Sequence, residues 1–595
     1  MMRFGGRWWL SVVFVCWAIL YGVAVPTGRA ASVGLTPAVP GAEGELFEVY
    51  GKVVNAHGVG VEEVEIEVRA GTIQLAPEKG GNNNDGPPRT EADGSFQARF
   101  LLPPGAAANG AVEDITVTAV KTSYARETLT IPVAAVVKTA DGYLARANLA
   151  IKRAAGPAFW VATGVFLLAY VLISFELLHR TLAAMLGASI MLVVSYTAGT
   201  INPDYHILSY ESAIAAIDMN VIFLLMGMMI IVGILKHTGI FQWCAYKSYQ
   251  LARGNVMVLA VVLMLFTGVT SAFLDNVTTM LLLTPVSIEI ALSLGISPIA
   301  LLIPEILASN IGGTATLIGD PPNIMIGSYA GLTFTDFVVN LAPTCAVGLV
   351  ALFVYSRLVY GREYGRARVD DVPRFLAQLR EEYRITDATL LGVGLIIMAI
   401  VIGLFLSHGY WHMEVSIAAL FGAALLFTYS LLTRRVDLLE LIEKDIEWTT
   451  LLFFMFLFML VGGVEETGLL DIIADEVLRL SGGNLTVSIC LILWVAAIMS
   501  AFVDNIPFTA TMLPIVAYLT EVIPGADSNV LWWALAFGAC FGGNGTMIGA
   551  SANVVTLGIA ESAGHPIRFI SYMKVGFPCM LLSVALANVW LLLFY

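Results

Sequence analysis

From residue 158 onward, the chain repeatedly runs apolar for about the length of a membrane-spanning helix. Crossing the hydrocarbon core takes about 20 consecutive apolar residues. Runs of this kind lie at about 158–177, 181–199, 219–236, 299–326, 335–357, 389–407, 414–432, 447–464, 530–557 and 570–594. Two longer runs, at about 255–294 and 485–523, are near 40 residues each. Because 58% of the 595 residues are hydrophobic and only 13% are charged, the sequence predicts an all-α polytopic membrane domain.

The two longer runs each carry an Asp-Asn pair at their centre. Residues 271–276 read SAFLDN, and 229 residues further along, 500–505 read SAFVDN. A carboxylate at membrane depth is costly enough to imply a function. Each arm holds only about 15 apolar residues before the acid, which is short for a span. We therefore predict two re-entrant hairpins with the Asp-Asn pairs at their tips, while two full spans in each run remain the alternative.

The spacing between the tips extends to other segments of the chain. GGTATLIGDPPN from 312 and GGNGTMIGASAN from 542 are identical at six of twelve positions. IDMNVIFLLMGMMIIVGILKHTGI from 217 matches IEWTTLLFFMFLFMLVGGVEETGL from 446 in pattern. Each half then has five spans and one hairpin, and an odd number of crossings inverts the second half relative to the first. The sequence predicts repeat 1 over 157–358, a cytoplasmic linker over 359–388 and repeat 2 over 389–595.

Paired glycines interrupt one long apolar segment in each half. A glycine-rich break frees backbone carbonyls inside the membrane, where an ion or a facing protein group must satisfy them. We expect each hairpin tip to face the broken helix of its own half, forming an oxygen-rich cation shell. The alternative is that the glycines only allow close helix packing. The predicted ion-binding or substrate-binding residues are Asp275, Asn276, Thr278, Asn310, Gly312, Gly313, Thr314, Thr316, Asp504, Asn505, Thr509, Gly542, Gly543, Asn544, Thr546 and Asn553.

Two further acids, Glu305 and Asp320, have uncharged counterparts in the second half. Together with Asp275 and Asp504 they are the predicted proton-coupling residues, because burial favours the protonated form of a carboxyl. The alternatives are a hydrogen-bonded packing residue for Glu305 and a helix cap for Asp320. There is no CxxC and no paired His/Cys cluster, so we expect no metal site and no cofactor beyond a transported sodium ion or proton.

The N-terminal part of the chain has a different character. Arg3 and Arg7 precede the apolar run 8–25, which predicts a signal peptide over 1–31, with an uncleaved anchor as the alternative. Residues 45–150 alternate apolar and polar positions in VYGKVV, VEEVEIEVRA, GSFQARFLLPPG, DITVTAVK and TLTIPVAAV. This alternation predicts a small extracytoplasmic antiparallel β-sandwich, which resembles the transthyretin-like, carboxypeptidase-regulatory type. Its expected role is binding or spacing.

Loop charge predicts the orientation in the membrane. The loops 200–218, 327–334 and 408–413 contain no Lys or Arg, whereas the loops between them on the other side are basic. By the positive-inside rule, the N-terminal domain and the C-terminus lie outside the cytoplasm. The expected location is the inner membrane of a bacterium.

The motifs SAFLDNVTT, ASNIGGTATLIGDPPNIMIG and SAFVDNIPFTATMLP resemble those of the ion transporter superfamily. They are most similar to the branch of arsenite permeases, NhaD-type sodium–proton antiporters and the melanosomal P protein. The resemblance spans 157–595 and implies inverted repeats, two hairpins, a mobile transport domain and a homodimeric scaffold. Carboxylate transporters of this superfamily carry Ser-Asn-Thr at both tips. The Asp-Asn pairs of this chain depart from that pattern. This departure weakens the case for a di- or tricarboxylate substrate.

These features predict a secondary active ion transporter that exchanges sodium for protons, with Asp275 and Asp504 binding either cation competitively. The sequence places no Lys or Arg within the membrane to hold an anion. The expected partners are a small ion and the lipid bilayer, with no nucleic acid and no enzymatic activity. Alternatives are an arsenite or other inorganic-ion permease, or a cation-coupled anion or carboxylate transporter. A membrane sensor that uses the β domain is the alternative from another class.

Overall fold

The structure, a computed structural model, describes residues 45–365 and 381–595, apart from 56–59, 63, 72, 78–86, 92, 103–114, 122–123, 133–134, 140–141, 176, 254 and 382. The chain divides into two compact units, one up to Ala154 and one from Ala155 onward. The predicted signal peptide lies outside the described residues, as does the central part of the predicted cytoplasmic linker.

The first unit is a β-sandwich, as predicted. Its strands are β1 (Glu45–Val54), β2 (Glu65–Ala70), β3 (Ile73–Gln74), β4 (Ala76–Pro77), β5 (Ser95–Leu102), β6 (Ile115–Val120), β7 (Glu127–Ile131), β8 (Val137–Lys138) and β9 (Gly142–Ala150). One sheet has the order β4-β5-β1-β9-β8 and the other β3-β2-β6-β7. The apolar positions of the alternating pattern form the core between the sheets, with Phe47, Val68, Phe100 and Val117 at most 1% exposed.

The prediction of a purely antiparallel sandwich was wrong at one pair of strands. β1 and β9 run parallel, with Leu46 opposite Gly142 and Val54 opposite Ala150. Two parallel strands need a crossover between them, and β9 is the last strand of the unit, far along the chain from β1. Its sequence, GYLARANLA, places small alanines at two of its inward positions, Ala145 and Ala147, so its alternation signal is weak.

The second unit is helical. Its helices of ten or more residues are Pro157–Ser174, Arg180–Tyr196, Met219–Lys236, Ile240–Ala252, Val256–Phe273, Asn276–Ser293, Ile299–Gly313, Pro321–Ala330, Phe334–Tyr364, Ala388–Trp411, Val415–Leu432, Trp448–Glu466, Leu469–Ser481, Leu485–Phe502, Asn505–Val522, Val530–Gly542, Ser551–Ser562 and Phe569–Phe594. Shorter helices are Ala198–Ile201, Tyr210–Ala215 and Leu438–Glu440, with 3₁₀ turns at Pro203–Tyr205 and Ala526–Ser528 and a π-turn at Leu441–Asp445.

Within the described residues, 11 helices are long and apolar enough to cross a membrane. Three of them are arms of the predicted hairpins, namely Val256–Phe273, Asn276–Ser293 and Leu485–Phe502. The remaining eight coincide with predicted spans. The other two predicted spans, 299–326 and 530–557, coincide with the two broken helices described below, whose first segments are shorter apolar helices. The fold class is therefore confirmed as a polytopic helical domain preceded by a small β-sandwich.

The repeated Thr-Gly dipeptide marks the same boundary in both halves. Gly239 and Gly468 both adopt the left-handed conformation, with φ of 77° and 86°, which glycine tolerates without strain. Each glycine ends a long helix and begins a 13-residue helix, Ile240–Ala252 or Leu469–Ser481. These two shorter helices were not predicted, because their mixed polar and apolar faces give no spanning run.

We name the pair Val256–Phe273 and Asn276–Ser293 the first hairpin, and the pair Leu485–Phe502 and Asn505–Val522 the second hairpin. All four arms have 18 residues, which corresponds to about 27 Å at about 1.5 Å per residue. The predicted arm length of about 15 residues was too short, because each first arm continues through its hydroxyl residues to the Asp-Asn pair. Arm length alone therefore does not distinguish a hairpin from two spans.

We name the pair Ile299–Gly313 and Pro321–Ala330 the first broken helix, and the pair Val530–Gly542 and Ser551–Ser562 the second broken helix. Before its break, each broken helix packs against the first arm of the hairpin in its own half. After its break, each packs against the second arm of the hairpin in the other half. The two halves are thus interlocked at the breaks, which brings both hairpin tips to one region of the protein.

Candidate functional site

Each hairpin tip turns into its second arm at an aspartate that caps the helix. The carboxylate of Asp275 accepts hydrogen bonds from the backbone N–H groups of Val277 (2.8 Å) and Thr278 (3.1 Å) and from the Thr278 hydroxyl. A capping carboxylate satisfies free N–H groups and opposes the positive end of the helix dipole. Asp275 and Thr278 thus form a local cap, and their hydrogen bonds do not reach the broken helix.

Asp504 occupies the same frame but has different partners. One carboxylate oxygen accepts from the N–H of Ile506 at 3.1 Å. The counterpart of Thr278 is Pro507, which has no N–H to donate. The second oxygen of Asp504 accepts instead from the hydroxyl of Ser551, at 2.9 Å, and from Nη1 of Arg180, at 3.3 Å.

Arg180 overturns one premise of the sequence analysis, which placed no basic residue at the site. Arg180 begins the helix Arg180–Tyr196, and its side chain is 24% exposed. Besides Asp504, it donates to the hydroxyls of Ser551 and Thr450, and its guanidinium lies 5.2 Å from the ring centroid of Phe453. A long side chain at a helix end reaches inward past its own backbone, so loop position alone misplaced this charge.

The carbonyls freed by each break are bound by an asparagine. Asn323 Nδ2 donates to the carbonyls of Thr314 (3.0 Å) and Thr316 (2.8 Å). Asn553, 230 residues later, donates in the same way to Gly543 (2.7 Å) and Thr546 (2.9 Å). These carbonyls therefore already have a donor, so the predicted shell of freed carbonyls is partly filled by the protein itself.

Two predicted hydroxyl ligands connect the breaks to the tips. Thr316 donates to the carbonyl of Ala272 and Thr546 to the carbonyl of Ala501, each at the end of the first arm of its own hairpin. Each tip faces the broken helix of its own half, as expected. These two hydroxyls, which were predicted to bind an ion, instead donate hydrogen bonds that fix the position of each tip.

The paired glycines do not themselves form the break. Both broken helices continue to the glycines, and the non-helical segments follow them. A Cβ on Gly312 would lie 2.1 Å from the carbonyl oxygen of Gly268, and one on Gly542 would lie 2.6 Å from that of Ala497. Gly312 and Gly542 therefore allow close helix packing, which was the alternative interpretation of the paired glycines. Gly313 faces the break itself, because its Cβ would lie 2.6 Å from the Gly319 oxygen, and Gly543 is placed likewise against Gly549.

Asn310 joins the two halves at the centre of the unit. Its amide donates to Asn544 Oδ1 (2.9 Å) and Asn553 Oδ1 (3.0 Å), and its own oxygen accepts from Asn276 at 3.3 Å. These four asparagines are at most 2% exposed. Among the described residues, Nδ2 of Asn544 is buried with no hydrogen-bond partner. The centre is thus a buried network of amide side chains.

Asp320 is buried in the same region without acting as a helix cap. It is 1% exposed, and it precedes Pro321 and Pro322, which have no N–H groups to cap. Its carboxylate accepts from Nδ2 of Asn505 at 3.3 and 3.5 Å, and the thiol of Cys540 faces it. Asp320 therefore occupies the N-cap position of the helix Pro321–Ala330 without a side-chain cap hydrogen bond, and its carboxylate lies at the tip of the opposite hairpin.

Glu305 lies further from the tips, in the first segment of the first broken helix. It is 1% exposed, and one carboxylate oxygen accepts from the Ser287 hydroxyl at 2.8 Å. Its other oxygen is buried with no hydrogen-bond partner in the part of the chain that the structure describes. The alternative of a hydrogen-bonded packing residue therefore accounts for one carboxylate oxygen of Glu305 and not for the other.

The two remaining predicted hydroxyls bond to their own helices. Thr314 donates to the Asn310 carbonyl and Thr509 to the Asn505 carbonyl, each at 2.7 Å. Such back-bonding satisfies a buried hydroxyl without involving the site.

The site opens into a cavity beside the second tip. The cavity has a volume of about 480 Å³, and its polar lining includes His179, Arg180, Asp504 and Ser551. Arg180, Ser551 and Asn323 are the site residues that sequence reasoning missed. Asn323 could have been found, because it matches the predicted Asn553 at the repeat spacing. Arg180 and Ser551 correspond to no charged or hydroxyl residue in the other half, so the repeat carried no signal for them.

A membrane domain with 11 candidate spans within the described residues, and with a buried polar centre where the two hairpin tips meet the broken helices, is of the secondary transporter class. The family model described as citrate transporter (CitMHS) matches residues 170–538, so the chain belongs to that family. Members of this family are transporters and not enzymes.

The chain is also similar to several named proteins. An uncharacterized transporter of Mycobacterium tuberculosis is 42% identical over 437 residues, covering 73% of this chain and 98% of the relative. The human P protein is 35% identical over 507 residues, covering 73% of this chain and 59% of the relative. The crystal structure of the YdaH transporter of Alcanivorax borkumensis aligns with 70% of this chain and 98% of its own, at 14% identity and a TM-score of 0.48.

Proposed function

We propose that the protein exchanges sodium for protons and that Asp320 carries the exchanged cation. Asp504 pairs with the guanidinium of Arg180, and the carboxyl groups of Asp275 and Asp504 lie near enough to Asp320 to act on it electrostatically. Ionised, these groups have an excess of negative charge, which favours a cation over an anion. This proposal keeps the predicted exchange but moves its main carboxyl from the tips to Asp320.

The placement of Asp320 is the observation that carries the proposal. A carboxyl group that is 1% exposed, caps no helix and meets an amide at 3.3 Å is poorly compensated as an anion. Such a group is stable when it holds a proton or when a cation lies beside it. Sodium is a hard cation that binds carboxylate oxygens, and the Asn505 amide offers this carboxylate only N–H hydrogen bonds, which do not neutralise its charge. Proton and sodium would then compete for one carboxylate.

The orientation and assembly follow the same proposal. The positive-inside distribution supports an extracytoplasmic N-terminal domain and C-terminus in the inner membrane, with inverted halves over 157–358 and 389–595. The homodimer remains part of the proposal.

The test is exchange in proteoliposomes that contain a pH-sensitive dye and receive a pulse of sodium. Asp320→Asn keeps the shape of the side chain but cannot exchange a proton, so we expect at least a 100-fold loss of sodium-driven proton movement. Asp204→Asn removes an exposed acid outside the site and should behave as the wild type. Wild-type exchange by correctly inserted Asp320→Asn protein would refute the proposal.

Cation-coupled anion transport is the second candidate function. It is favoured by Arg180, which places a guanidinium beside the cavity, and by the citrate transporter description of the family. Uptake of radiolabelled citrate, dicarboxylates and arsenite into the same proteoliposomes distinguishes the candidates. Sodium-dependent accumulation of citrate or of a dicarboxylate, without proton countertransport, would favour the second.

A further inference from the structure

We infer that Arg180 is a built-in cation at the second hairpin tip, so that Asp504 is not free to bind a transported ion. This inference rests on the proposed function, in which the transported ion is a cation. It implies that the two tips, which match in sequence, have different roles. At the second tip, the guanidinium of Arg180 occupies the carboxylate that a transported cation would otherwise bind.

The contacts of Arg180 are those of a cation in a coordination shell. Nη1 meets a carboxylate oxygen of Asp504 at 3.3 Å and also donates to the Ser551 hydroxyl, which itself donates to that oxygen at 2.9 Å. Nη2 donates to the Thr450 hydroxyl at 3.2 Å. Carboxylate and hydroxyl oxygens are also the groups that bind a hard metal cation.

A second acidic residue lies near the guanidinium of Arg180, on the side away from Asp504. Thr450 donates to a carboxylate oxygen of Glu447 at 3.0 Å, so the guanidinium lies between Asp504 and a second acid. The guanidinium of an arginine carries a permanent positive charge in proteins. A sodium ion at Asp504 would have to displace a permanent, tethered charge.

The first tip has no equivalent of this arrangement. At the repeat spacing, Thr450 and Ser551 correspond to Val221 and Pro321, and Arg180, the first residue of its helix, corresponds to Val415, the first residue of the matching helix in the second half. None of these counterparts carries a polar side chain. Within the described residues, the carboxylate of Asp275 accepts hydrogen bonds only from Val277 and Thr278 and forms no ion pair. The asymmetry therefore comes from a whole set of residues and not from a single substitution.

The test is the number of sodium ions bound by the purified, full-length protein, measured with radiolabelled sodium at equilibrium. Arg180→Gln should free Asp504 and add one sodium site per chain relative to the wild type. Arg180→Lys keeps the charge and should add none. The double variant Arg180→Gln with Asp504→Asn should return to the wild-type number, because the carboxylate that binds the added ion is gone.

The opposite outcomes would overturn the inference. They are an unchanged sodium number in folded Arg180→Gln protein, or a gained site that persists in the double variant. If Arg180→Gln does not fold, Asp504→Asn alone decides, because losing one sodium site in that variant would show that Asp504 binds sodium in the wild type. Wild-type protein that binds no sodium contradicts the proposed function, whereas a first site gained in Arg180→Gln would still support this inference.

Discussion

At the scale of single residues, the breaks depend on two asparagines that each bind two carbonyls. A non-helical segment inside a membrane protein must find partners for the backbone groups that it frees. An asparagine amide has two hydrogens to donate, and Asn323 and Asn553 use both on carbonyls of the break that precedes them. The same side chain at the repeat spacing therefore stabilises both breaks.

Replacing Asn553 by alanine should leave the Gly543 and Thr546 carbonyls buried without this donor. Each unsatisfied buried group costs about 1–3 kcal/mol, so we expect a loss of about 2–4 kcal/mol. Thermal unfolding in detergent, followed by the fraction of monodisperse protein, measures this loss. Ser562→Ala, on the same helix, removes an exposed hydroxyl bonded to its own helix and should change little. Equal melting temperatures for the two variants would contradict the prediction.

At the scale of elements, each hairpin lies against its broken helix at backbone-to-backbone distance. Gly268 on the first hairpin and Gly312 on the first broken helix meet without side chains between them, and Ala497 and Gly542 do so in the second half. Small residues at a helix interface allow this approach and the dispersion contacts that come with it. Because the helices lie this close together, each hairpin tip can contact the non-helical segment that follows the paired glycines.

Gly312→Ala should disrupt this contact, because its Cβ would lie 2.1 Å from the Gly268 oxygen. Overpacking costs about 1–3 kcal/mol, and the shift of the first hairpin should also lower transport. Gly558→Ala is the matched control, since its Cβ meets nothing within 4 Å, and alanine favours a helix by up to about 1 kcal/mol. Chemical denaturation and the proteoliposome assay measure both effects. A Gly312→Ala protein as stable as Gly558→Ala would show that the helices separate easily.

At the scale of the whole molecule, the membrane unit is built from two halves that exchange contacts at their centre. Asn505 of the second hairpin meets Asp320 of the first broken helix, and Asn310 of the first broken helix meets Asn544 and Asn553 of the second. Neither half contains a complete site. The site is therefore complete only when both halves are in contact at this centre.

The predicted orientation places Asp204 outside the cytoplasm and Glu440 inside it, and both side chains are exposed. In intact cells, a membrane-impermeant maleimide should label Asp204→Cys at once and Glu440→Cys only after permeabilisation. The unmodified protein, in which Cys244 and Cys490 are partly buried, gives the background. Labelling of Glu440→Cys in intact cells would reverse the proposed orientation.

The sequence by itself determined the features that depend on local pattern. Apolar run length specifies the spans, glycine and proline mark the breaks, and the recurrence of SAF-x-DN after 229 residues identifies the paired tips. Tertiary structure decided which partner each polar group meets. Arg180 and Asp504 are 324 residues apart, and Asn505 and Asp320 are 185 apart. No periodicity records such pairs, because they depend on how distant helices pack, and so two aspartates in identical frames have different partners.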